Sequence, residues 1–192
     1  MPKIIAFSGK SNSGKSTLIC KLAEILRTEG KSVGVIKHDP KDKAEFDTKG
    51  REGLKDSYKF SCVAQKVAVI SPNKSTIFSF RSNGDSNESM EATQQGVSAY
   101  ELCEFERALE FFGACDYVFI EGLRGLPYRR IIVARGELDR SYLPYGVAIA
   151  MDRELRDRTD MATLTNLTVL DLNNPLEILE FIDKERVCKS SK

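Results

Sequence analysis

Residues 9–17 read Gly9-Lys10-Ser11-Asn12-Ser13-Gly14-Lys15-Ser16-Thr17, and they fit the pattern G-x-x-x-x-G-K-[ST] at every fixed position. The spacing has a physical reason. Glycines let the backbone wrap so that successive N–H groups converge on phosphate oxygens, and a helix beginning at the lysine aims its positive end at the same point. Lys15 then reaches the β and γ phosphates, and the Ser16 hydroxyl is placed to ligate Mg²⁺. Asn12 and Ser13 are small polar residues that suit so tight a loop. The motif points to a nucleoside triphosphate and says nothing about its base.

The flanks agree with this reading. Residues 3–8 (KIIAFS) form a short apolar run that stops at Gly9, as a buried parallel strand would. From Lys15 the period changes: Leu18, Ile19, Leu22, Ala23, Ile25 and Leu26 recur at helical spacing, and Gly30 supplies the stop. A second apolar run, Val33 to Ile36, follows at once, which completes a βαβ unit. Further strands are expected at 66–71, 117–120, 131–134, 147–151 and 168–172, with an alternating, antiparallel edge strand at 75–81. Helices are expected at about 55–64 and 98–112. A closing helix to about 182 opens on the N-cap signal Asn174-Pro175-x-Glu177. The expected fold is therefore α/β, of the P-loop NTPase type: a mainly parallel sheet flanked by helices, with an antiparallel edge or protrusion. Residues 1–192 are read as one domain. Its polar stretches 38–57 and 82–96 are read as flexible loops, the second as a candidate dimerisation protrusion, and 187–192 as a tail.

The site needs an acid near the magnesium, at the carboxyl end of a neighbouring strand. Asp116 and Glu121 flank the apolar run 117–120, roughly 16 Å apart at strand rise, so both cannot reach the phosphates. Glu121 stands at the carboxyl end, where crevices in open α/β sheets form. It would bind Mg²⁺ through water or orient the attacking water. His38 and Lys37 end the second strand on the same side, as loop residues or as groups near a ligand. Asp39, Asp42 or Asp47 would assist the magnesium. Arg129, Arg130 and Arg135 are either a solvated face or an anion contact. Cys20 reads as core, and the five dispersed cysteines read as reduced, mostly buried thiols.

Composition narrows the function classes. With 29 Lys and Arg against 28 Asp and Glu, the net charge is +1, so neither a nucleic-acid footprint nor a membrane-surface field is expected. A single histidine and no cysteine cluster argue against a His/Cys metal site. The start of the chain carries too short an apolar run for a signal peptide or a span, so a cytoplasmic protein is expected.

Taken together, GKSNSGKST, VGVIKH ending at His38, FDTKG leading to Lys55-Asp56-Ser57-Tyr58-Lys59, VFIEGLR and PYRRIIVAR resemble the molybdopterin-guanine dinucleotide biosynthesis adaptor family, MobB. The matches run in order across about residues 3–183. The resemblance implies a dimeric GTP- and Mg²⁺-binding protein with weak GTPase activity, acting on molybdenum cofactor alongside the guanylyltransferase MobA. It places phosphate at Gly9 to Thr17, the strand-end acid at Glu121, and Asp47 and Asp56 in a switch-like region. Two features depart from the family: Asp39-Pro40-Lys41-Asp42-Lys43 stands where members often have further histidines, and the stretch from Asp47 to Lys55 is longer. Base recognition is not readable, since no N-K-x-D motif occurs; Asn166 and the loops after Met151 and Asp171 qualify by position. Two other functions compete. A small-molecule kinase would use Arg153, Arg156 and Arg158 as a lid, and a metallochaperone would want more Cys or His near the loop.

Overall fold

The computed structural model describes residues 1–38, 56–73, 75–79, 98–123, 126–164 and 166–184. The acids Asp39, Asp42 and Asp47, the stretch 82–96 and the tail 187–192 lie outside these residues. Among the described residues eight strands form one mostly parallel sheet in the order β4-β3-β2-β5-β1-β6-β7-β8. They are β1 (Lys3–Ser8), β2 (Val33–His38), β3 (Lys66–Ile70), β4 (Ser75–Ser79), β5 (Tyr117–Glu121), β6 (Arg130–Ala134), β7 (Ala148–Met151) and β8 (Thr168–Asp171). Among the described residues five α-helices flank it: α1 (Lys15–Thr28), α2 (Asp56–Ser61), α3 (Ser98–Phe111), α4 (Arg153–Arg158) and α5 (Pro175–Lys184). This is the expected α/β architecture of P-loop NTPases. The expected antiparallel edge is β4, paired to β3 with Ile70 opposite Ser75. No described helix is long and apolar enough to cross a membrane.

The chain divides into two compact units, one of Met1–Lys3 with Ala23–Phe119, the other of Ile4–Leu22 with Ile120–Lys192. In the first, β2 and β3 run parallel with Val35 beside Val67, and Phe60, Phe105 and Phe112 are fully buried. Gly30 ends α1 with φ 74°; its N–H donates to Arg27 O, and the N–H of Lys31 donates to Leu26 O. That pair of bonds is the Schellman arrangement, which closes the last orphan carbonyls of a helix. Cys20 is half-buried rather than core, and Cys62 is exposed, while Cys115 is buried as expected. Cys20 lies on α1, where helical spacing marks a face but not how deeply its margin is covered, and Cys62 lies in the turn that follows α2.

Asp116 stands just before β5 and closes a local lock. The Ser32 N–H and hydroxyl donate to Asp116 Oδ2 at 2.7 and 2.9 Å, and the Asp116 N–H donates to Ser32 Oγ at 2.9 Å. The Ser32 amide first, then its hydroxyl, hold the Asp116 carboxyl below its ordinary value. Because the folded value is the lower one, this contribution is present above the ordinary aspartate range. It is lost as pH falls through the folded value. Asp116→Asn should therefore flatten the acid limb of stability below about pH 4. Urea midpoints measured from pH 2.5 to 6 check this, and an unchanged limb would refute it.

The second unit carries the loop. β1 pairs with β6, Ser8 beside Ile132, and β6 with β7, Ala134 beside Met151. Ile132, Ile149, Met151, Leu155 and Leu164 form one cluster of its core. At α5 the Asn174 side chain accepts from the Glu177 N–H, 3.3 Å, as the N-cap reading requires. The reciprocal acid behaves differently: Glu177 Oε2 accepts from the Asp171 N–H at 3.4 Å, because the chain enters the helix through a turn at Asp171 to Asn174.

Candidate functional site

The loop departs from β1 at Gly9 and re-enters regular structure at α1. Asn12 takes the left-handed conformation, φ 63°, and Gly14 has φ 92°. The Ser13 N–H donates to Lys10 O, so the loop curls inward on itself. Lys15 leans back over this curl, its Nζ donating to Gly9 O at 3.0 Å and to Lys10 O at 2.7 Å. Thr17 points outward and is exposed. Ser11 and Asn12 are exposed as well. Lys10 donates to Glu137 beyond β6, and that carboxylate raises the Lys10 pKa.

Beneath the loop the Ser16 hydroxyl meets both oxygens of Glu121, at 3.1 and 3.0 Å. Glu121 is the last residue of β5 and only 8% exposed. The strand-end acid and the serine that follows the lysine, picked separately from the sequence, are thus in contact. Two observations test whether a phosphate and Mg²⁺ suit the place. The Ser13 hydroxyl is buried inside the loop and has no hydrogen-bond partner among the described residues. A Cβ at Gly9 would stand 2.1 Å from Val133 O, so only bare backbone fits there. A tight backbone cradle with an unmatched donor suits phosphate, and a hydroxyl beside a carboxylate is a hard oxygen donor pair suited to Mg²⁺. The residues fit the group.

The three arginines separate. Arg135 is exposed and lies beside the loop: its Nε would be 3.4 Å from a Gly14 Cβ, and it donates to Asn173 Oδ1 at 3.4 Å. Arg130 is neither solvated face nor anion contact, since it is 1% exposed and its guanidinium donates to Ser8, Gly122, Leu123 and Leu126. Sequence reasoning missed it because Arg129-Arg130 reads as a surface pair. The one available signal was its position opening a fully apolar strand.

The remaining candidates fall elsewhere. His38 ends β2 rather than lying in a loop. Lys37 pairs with Asp56 at 3.2 Å, and Asp56 also accepts from Lys59. Asn166 precedes β8 at its amino end and lines a cavity of about 300 Å³ with Leu143, Pro144 and Leu167. The carboxyl ends, where the loop springs, are at the other end of the strands. Asp152 caps α4 through the Leu155 N–H and accepts from the Gly136 N–H. Of the arginines read as a kinase lid, Arg153 pairs with Asp157 on the surface of α4. Arg158 donates to Glu154 O within its own helix and to Gly136 O, and the second bond ties the helix to its surroundings. Among the described residues no three His, Cys, Asp or Glu side chains gather as metal ligands do.

Residues 4–152 match the family described as MobB, molybdopterin guanine dinucleotide synthesis protein B. The chain belongs to the MobB family. Membership assigns it to molybdenum cofactor biosynthesis, on a P-loop NTPase fold. No curated protein sequence matches it. Among solved structures it is similar to a molybdopterin-guanine biosynthesis protein B (mobB), 23% identical, over 94% of this chain and 97% of that one, TM-score 0.51. A MobB homolog from Bacillus stearothermophilus is 16% identical over 95% and 99%, TM-score 0.51. The hydrogenase maturation factor HypB from Archaeoglobus fulgidus is 16% identical over 94% and 87%, TM-score 0.53. At these identities the likenesses speak for the fold.

Proposed function

We propose that the chain binds GTP with Mg²⁺ in the loop 9–17, hydrolyses it slowly, and serves as a homodimeric, cytoplasmic adaptor to the guanylyltransferase MobA. In this reading it presents nucleotide when molybdenum cofactor is converted to its guanine dinucleotide form. The observation that carries the proposal is the Ser16–Glu121 pair under a lysine-bearing loop, in a chain of the MobB family. When bound, Mg²⁺ would neutralise the phosphate charge. Ser16 and Glu121 would hold it, with Asp47 as a further acid, and Lys15 would leave the loop carbonyls for the β and γ phosphates.

The test titrates GTP and ATP with and without Mg²⁺, then measures dinucleotide formation by the transferase with this chain added. Preference for GTP and increased product are expected. ATP bound equally well with no gain in product would overturn the proposal, and rapid substrate-dependent ADP formation would favour a kinase. Glu121→Gln keeps an acceptor for Ser16 but loses the charge. It should spare Mg²⁺-free binding and lower Mg²⁺ affinity and hydrolysis by about tenfold or more. Full retained turnover would show that another group handles the water.

A further inference from the structure

Arg130 is among the largest fully buried side chains, and its contacts are unusual for a buried cation. Nη1 donates to Ser8 Oγ and Gly122 O, both at 2.7 Å. Nη2 donates to Leu123 O at 2.9 Å and Leu126 O at 3.4 Å. Among the described residues these are three carbonyls and a hydroxyl, with no carboxylate. Burial pushes its pKa down to about 10, which leaves it charged at neutral pH. An uncompensated buried charge is a costly way to fill a core position that an aliphatic chain would fill without penalty. What an aliphatic chain cannot do is hold four acceptors at once.

Three of those acceptors belong to the turn that leaves Glu121. The turn bends through two left-handed residues, Gly122 at φ 91° and Leu123 at φ 48°. The second is strained for a side chain of that size, so the surrounding contacts must impose it. The fourth acceptor, Ser8, directly precedes Gly9 at the root of the phosphate loop. The Gly122 N–H adds a bond to Phe7 O at 3.0 Å. Resting on the reading of Glu121 as the magnesium-side acid, we propose that Arg130 is its positioning residue. The buried fork ties the Gly122, Leu123 and Leu126 carbonyls to Ser8 and thereby fixes the Glu121 carboxylate against Ser16. Lysine cannot replace it: an ammonium has three tetrahedral donors, and four planar-spaced acceptors need the guanidinium fork.

Two readouts test this, on the intact chain. In nucleotide-free protein, hydrogen exchange at the Gly122 amide should be at least tenfold faster in Arg130→Met, with the interior amides of β6 and β7 unchanged. In GTP titrations, the same variant should keep Mg²⁺-free affinity within twofold and lose at least tenfold of the gain that Mg²⁺ confers. Arg130→Lys keeps the charge and covers the case in which the methionine variant does not fold; it should show the same split at smaller size. A folded variant of either kind with wild-type exchange at Gly122 and a wild-type Mg²⁺ gain overturns the clamp. If the wild type itself gains nothing from Mg²⁺, the reading of Glu121 fails instead, while Gly122 exchange still decides whether Arg130 holds the turn.

Discussion

Replacing Lys15 by alanine will cut triphosphate affinity by about 30-fold or more while leaving the fold intact. The lysine is the first residue of α1, a position where alanine is an excellent helix former, and its ammonium bonds to loop carbonyls on the surface side of the curl. Removing it frees Gly9 O and Lys10 O to water, which costs little. In the bound state the loss is different in kind. A charge-assisted contact to phosphate disappears where the phosphates are partly desolvated, worth at least ~2 kcal/mol, or about 30-fold in the dissociation constant. Lys10 cannot take over, since its ammonium is already engaged by Glu137. Calorimetric titration with GTP and Mg²⁺, paired with a thermal melt, separates the two effects. An unchanged affinity would break the assignment of the loop.

How much of this was legible beforehand follows from what each residue does. The loop could be read because its function dictates residue types at fixed spacing, and Glu121 because the end of an apolar run shows where a strand stops. The Ser16–Glu121 contact spans 105 positions, yet it followed from two local readings, because parallel-sheet topology brings strand ends together. Arg130 resisted for the opposite reason. Its role is set by which backbone carbonyls point at it, and a turn with two positive φ angles leaves only Gly122 as a sequence trace. α4 was also unreadable: six residues, RELRDR, with Leu155 alone buried, carry no apolar period, so the helix rests on its Asp152 cap and on tertiary contact. Asn166 could have been set aside from the sequence, because a residue that precedes a parallel strand lies at its amino end, opposite the loop.

The second large effect is expected at Gly9, where loop and sheet share one backbone position. Two separate penalties meet there. The φ of 151° belongs to a region that side-chain-bearing residues scarcely enter, at a cost of order 1–3 kcal/mol. A Cβ would also stand 2.1 Å from the Val133 carbonyl oxygen. That neighbour is backbone of β6, itself paired to both β1 and β7, so it cannot swing aside as a flexible side chain would. Overpacking against an unyielding neighbour adds about 1–3 kcal/mol, and the sum puts Gly9→Ala at roughly 3 kcal/mol or more of lost stability. Gly30 provides the control. It also has a positive φ, 74°, but nothing lies within 4 Å of its Cβ position, so Gly30→Ala pays only the left-handed penalty of about 1–2 kcal/mol. Urea midpoints of the two variants should therefore differ by about 2 kcal/mol, with Gly9→Ala also losing triphosphate binding as the loop is pushed off Val133. Equal destabilisation by the two would mean that backbone strain alone sets the cost, and that the close approach of loop and β6 plays no part in shaping the cradle.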